Sequence, residues 1–84
     1  MDYKVLVKIF VPELEMEYEL YIPINRNFKK IKVNINRMIN DDSEGIFPIK
    51  NNLEIFNRRT GKQYVNKDIV RKTDIRNGTE LVLI

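Results

Sequence analysis

Hydrophobic and polar residues alternate from the start of the chain. Over residues 3–11, Val5, Val7, Ile9 and Val11 fall on one side of an extended backbone, and Lys4, Leu6, Lys8 and Phe10 on the other. Pro12-Glu13 reads as a turn, after which residues 14–22 alternate again. Leu14, Met16, Tyr18, Leu20 and Ile22 share one face, with Glu13, Glu15, Glu17, Glu19 and Tyr21 opposite. Two such runs joined by a short Pro-containing link predict a β-hairpin. After Pro23 the period lengthens. Phe28, Ile31, Ile35, Met38 and Ile39 form an apolar stripe at helical spacing with Asn27 placed to cap it, which predicts a helix over 28–40. Asp41-Asp42-Ser43-Glu44-Gly45 ends that helix. Lys29 and Lys30 at its start and the acids at its end oppose the helix dipole, at about 0.3–1 kcal/mol each when exposed. Burial of the stripe has to exceed that cost.

Beyond the helix, Ile46-Phe47-Pro48-Ile49 is an apolar connection expected to cover an edge of the core. Short strands are predicted over 53–56 and 62–65, joined by Asn57-Arg58-Arg59-Thr60-Gly61. Residues 66–75 carry Ile69, Val70 and Ile75, enough for one short helical turn. Asn77-Gly78 marks a turn into a last strand over 79–84. The order β-β-α-β-β-β gives one helix a single sheet to cover, which makes an α+β domain of two layers. With the last strand beside the first, in a mixed sheet of four or five strands ordered 2-1-5-3, the fold is a β-grasp.

Composition narrows the function more than the fold. Eighty-four residues suit a single domain over 1–84. With no Cys, the chain offers no disulfide, thiolate nucleophile or cysteine zinc site. With no His, it lacks the usual base near neutral pH and the commonest metal ligand. Ser43, the single serine, therefore has no partner to activate it. No enzyme activity, cofactor or metal site is expected. The chain opens without a signal-peptide pattern and holds no apolar run long enough to span a membrane, so a cytoplasmic protein is expected.

The charge of +3, from 15 basic and 12 acidic residues, is mild. Glu13, Glu15, Glu17 and Glu19 read as a solvated strand face balanced by Lys4 and Lys8, not as a cation cage, because residues along one strand do not converge. Lys29, Lys30, Lys32 and Arg37 on the helix, Arg58, Arg59 and Lys62 in a turn, and Arg71, Lys72 and Arg76 beyond it lack interleaved aromatic platforms. Nucleic acid is accordingly disfavoured as a partner, and a small RNA-binding module is the alternative function. The outward face of the sheet is the stronger candidate. It would gather Leu6 and Phe10, Val82 and Ile84, and Phe56 from adjoining strands, edged by Lys8, Glu54 and Glu80. A contiguous apolar patch of this kind marks a binding site more often than scattered residues do. Leu6, Phe10, Phe56, Glu80, Val82 and Ile84 are the candidate protein-binding residues.

The element order and the segment Asp74-Ile75-Arg76-Asn77-Gly78-Thr79-Glu80-Leu81-Val82-Leu83 resemble the end of ubiquitin-fold proteins. Within that superfold the whole chain most resembles the YukD/EsaB group, small bacterial ubiquitin-like proteins of type VII secretion loci. Members of that group often carry glycine where this chain has Asp74. The resemblance implies a non-catalytic interaction module, an accessory or regulatory component of a type VII (WXG100) secretion system. It further implies a protein partner, such as a membrane-associated secretion ATPase, and a cytoplasmic location peripheral to a membrane complex. Ubiquitin and the sulfur carriers act through a terminal Gly-Gly. Here Gly45, Gly61 and Gly78 are internal and the final residues are Leu83-Ile84, so conjugation through a tail is not expected.

Overall fold

The alternating runs pair as their pattern predicts. In the computed structural model of the protein, which describes residues 3–84, β1 (Lys4–Val11) and β2 (Met16–Pro23) form an antiparallel hairpin. Val7 lies opposite Leu20, and Val5 opposite Ile22. The connection is longer than Pro12-Glu13: it occupies residues 12–15, and Glu15 takes a left-handed φ of 52°. Leu14 thus belongs to the turn, where it still packs against the core. Met16, expected inside, is half exposed at the far end of the hairpin.

α1 (Phe28–Asp42) begins where the side chain of Asn27 accepts a hydrogen bond from the Lys30 amide, at 3.0 Å. Its first turn carries no acid and its last turn no base. Phe28, Ile31, Ile35 and Ile39 are buried, and each contributes roughly 1.5–3 kcal/mol. That outweighs the unfavourable end charges several-fold. Met38, assigned to the stripe by spacing, is 49% exposed; Asn36 is buried instead.

Asn36 explains how an irregular segment can close the core. Its amide donates to the Pro48 carbonyl at 3.0 Å and accepts from the Lys50 amide at 2.7 Å. Asn40 donates to the Phe47 carbonyl, and the Ser43 hydroxyl accepts from the Phe47 amide. These bonds give the backbone of 47–50 the partners that a strand would otherwise supply. Phe47 is driven inward, 1% exposed, while Ile46 and Ile49 stay in solvent.

The remaining strands are shorter than predicted. β3 (Ile55–Asn57) and β4 (Gln63–Tyr64) pair antiparallel, a 3₁₀ turn follows at Val70–Lys72, and β5 (Glu80–Leu83) closes the sheet. Asn57 ends β3 and organises the turn after it. Its side-chain oxygen accepts from the Arg59 and Thr60 amides at 2.9 and 3.1 Å. The sheet order is β2-β1-β5-β3-β4, with β5 parallel to β1 and antiparallel to β3. Ile9, Leu81 and Ile55 line its inner face beneath α1. This is the β-grasp arrangement expected from the element order.

Candidate protein-binding face

Strand alternation sends the other half of the sheet residues away from the helix. Phe10 stands opposite Val82 in the parallel β1–β5 pair, and Val82 opposite Phe56 in the antiparallel β5–β3 pair. These three half-buried side chains form one row across three adjacent strands. Directly opposed residues stand about 4.5–5.5 Å apart at Cβ, so the row is continuous. Glu17 of β2 and Gln63 of β4 occupy its two ends by register. Ile84, two residues beyond Val82, is 56% exposed, and its backbone exchanges hydrogen bonds with that of Glu54.

Leu6 does not join this row. Lys8 lies between Leu6 and Phe10 on the same face, opposite Glu19 in β2 and Glu80 in β5. A charged row thus crosses the sheet where a continuous patch was expected. Leu6 instead stands opposite the exposed Tyr21, making a separate apolar corner. The turn before β5 fixes that corner. Asn77 Oδ1 accepts from the Leu6 amide, and the Gly78 amide donates to the Leu6 carbonyl, both at 2.8 Å. Gly78 holds a φ of +89°, a conformation that resists side chains. Glu54, expected at the patch edge, forms an ion pair with Lys32 of α1 at 2.7 Å.

Arg58 completes the face, and spacing alone did not single it out. Its guanidinium lies over the Phe10 ring, 4.6 Å from the centroid. It also reaches Glu17 Oε2 at 3.0 Å and Glu80 Oε1 at 3.8 Å. The Arg58 amide donates to the Glu80 carbonyl, which carries the β3–β5 ladder one residue beyond β3. This base is therefore part of the sheet face rather than a free cation in a turn. Aromatic side chains and arginine are the residues that interface cores favour over the rest of a protein surface. Tyr21 was legible in the alternation, which placed it outward after the glutamates. Arg58 was not, because its partners come from β1, β2 and β5.

A buried polar network sets β3 behind the row. The Tyr64 hydroxyl donates to Asp74 Oδ1 at 2.8 Å and accepts from the Asn57 amide at 3.1 Å. Its ring stacks on Phe28, with centroids 4.9 Å apart. Burial, with the Asp74 hydrogen bond and charge adding to it and the Asn57 bond opposing, pushes the Tyr64 phenol up to about 12. Asp74 is thus the acceptor that satisfies the hydroxyl of the buried Tyr64.

No family model matches the chain, and no curated protein matches its sequence. Solved structures do resemble its fold. The N-terminal ubiquitin-like domain in the 4931431F19Rik protein is 18% identical, with a TM-score of 0.72, and is matched over 100% of this chain and 76% of that one. A chain of the MycP5-free ESX-5 inner membrane complex is 13% identical with a TM-score of 0.78; 96% of this chain matches 20% of that one. ATBAG1, solved in complex with HSP70, is 16% identical with a TM-score of 0.67, over 95% of this chain and 39% of that one. The chain has the ubiquitin-like β-grasp fold, a five-stranded mixed sheet packed on one helix. Among the described residues, no helix is long and apolar enough to cross a membrane.

Proposed function

We propose that the protein is a non-catalytic ubiquitin-like interaction module. It docks a protein partner on the outer sheet face, around Phe10, Val82, Phe56 and Ile84, with Glu80 and Arg58 at the rim. One observation carries this reading: three large apolar side chains stand in register across adjacent strands on the face turned away from the helix. Arg58 over Phe10 gives the row a charged margin that can exchange its present carboxylates for those of a partner. Leu6, with Tyr21, makes a second contact point across the charged row. Neighbours solved within larger assemblies support docking over catalysis.

The finer reading is an accessory or regulatory component of a type VII (WXG100) secretion system, cytoplasmic and peripheral to its membrane complex. A membrane-associated secretion ATPase, or another component of that apparatus, would be the partner. The sequence resemblance to the YukD/EsaB group supports it, and so does a fold neighbour within an inner membrane complex. The test is complementation. Deletion of the gene in its native host should impair export of the WXG-type proteins, and the wild-type chain should restore it. A Val82→Asp chain should fold, with an unchanged circular dichroism spectrum, yet fail to restore export. Restoration by that variant would move the site elsewhere, and normal export in the deletion strain would remove the secretion reading.

A further inference from the structure

We propose that the helix layer carries a second docking groove, for an acidic peptide segment of a partner protein bearing a large apolar side chain. The groove, about 660 Å³, lies between the first turns of α1 and the segment 66–69. Arg26, Lys29, Lys30 and Lys67 line it together with the apolar Val33 and Ile69, and no carboxylate does. This site is independent of the sheet face.

Its walls are tied together by the backbone. The Phe28 amide donates to the Asp68 carbonyl at 3.1 Å, and the Lys29 amide to that of Asn66 at 3.2 Å. The Val70 amide donates to the Arg26 carbonyl at 3.1 Å, and Asn27 and Ile69 form an isolated bridge. With the Lys30 amide on the Asn27 side chain, the first-turn donors of α1 are already used. An anion arriving here meets side-chain cations instead of helix N–H groups.

Those cations are concentrated. Segments 24–31 and 66–72 hold Arg26, Lys29, Lys30, Lys67, Arg71 and Lys72, with Asp68 the one carboxylate among them. The ion pairs among the described residues engage Lys32, Lys50 and Arg58, and none of these six. The mild net charge of +3 therefore conceals a basic end, and one-signed clefts attract the opposite charge. The apolar lining residues narrow the choice of anion. Val33 is 49% exposed on a helix face otherwise polar, and a peptide side chain can cover it together with Ile69. No aromatic ring lines the groove for bases to stack on, which disfavours single-stranded nucleic acid.

The probe is a synthetic peptide with a central leucine flanked by glutamates, titrated into the folded protein and followed by amide NMR shifts. A matched peptide with glutamine for glutamate, oligouridylate, and phosphatidylserine vesicles serve as comparisons. The acidic peptide should shift the amides of Lys30, Val33 and Ile69, and its affinity should fall as salt rises. Lys30→Glu with Lys67→Glu should weaken it by at least about tenfold, since like charges then face each other. Lys30→Glu places an acid in the first turn of α1, so the melting temperature should hold or rise and lost binding cannot be ascribed to unfolding. Val82→Asp should bind the peptide normally. Unmoved groove amides, equal binding of the glutamine peptide, or tighter binding of the oligouridylate or vesicles through the same residues would each overturn the proposal.

Discussion

The guanidinium of Arg58 lies 4.6 Å from the centroid of the Phe10 ring and bonds Glu17 at 3.0 Å, so one side chain joins the β3–β4 turn to both strands of the hairpin. Exposed cation–π contacts and surface ion pairs are each worth about 0.5–1 kcal/mol at most. Arg58→Ala should therefore shift the denaturation free energy by no more than about 2 kcal/mol, while uncovering Phe10 and increasing binding of a hydrophobic dye. A loss of several kcal/mol would make Arg58 a structural residue and weaken its assignment to a docking rim.

Tyr64→Phe removes a hydroxyl whose two partners, Asn57 and Asp74, then lose a hydrogen bond in or near the core. The expected cost is about 1–3 kcal/mol at neutral pH. The pH dependence has a definite sign. The folded phenol, raised to about 12, holds its proton where the unfolded one, at the ordinary phenol value of 10.0, has released it. The stabilisation is complete below the unfolded value and is lost as pH rises through the folded one. The gap in denaturant midpoint between wild type and variant should narrow across that window. A constant gap would show that the hydroxyl titrates as in water.

Asn36→Ala should cost about 2–4 kcal/mol, because the Lys50 amide and Pro48 carbonyl both lose their buried partner. Hydrogen exchange should accelerate at Lys50 first. If the Lys50 amide keeps its protection, water replaces the side chain and the segment does not depend on Asn36.

Asp42→Lys should stabilise the helix by about 0.3–1 kcal/mol at low salt, since α1 ends without a base. Thermal melts with and without added salt separate the mechanisms: an electrostatic gain shrinks as salt is raised, and a gain that persists unchanged points to packing.

Local pattern was sufficient for much of this fold. The period of two over β1 and β2, the stripe of Phe28, Ile31, Ile35 and Ile39, the Asn27 cap and the Asn77-Gly78 turn are written in neighbouring residues. Each depends on spacing or on the conformational freedom of one or two positions. Burial of one helix on one sheet then left few arrangements. The errors fell where a residue's role depends on distant partners. Met38 keeps helical spacing yet stands outside the core, whereas Asn36 is buried because 47–50 folds back onto it.

The candidate site divides in the same way. That Phe10, Val82 and Phe56 point outward followed from alternation within each strand. That they meet in one row, while Lys8, Glu19 and Glu80 separate Leu6 from it, is a matter of register between strands up to 72 positions apart in number. Register is set by the turns and by packing on the inner face, and a shift of one residue would reverse every side chain. The sequence by itself determined which side chains each strand turns to the solvent. Only the tertiary structure decided which of them stand together, and that Arg58 lies across Phe10.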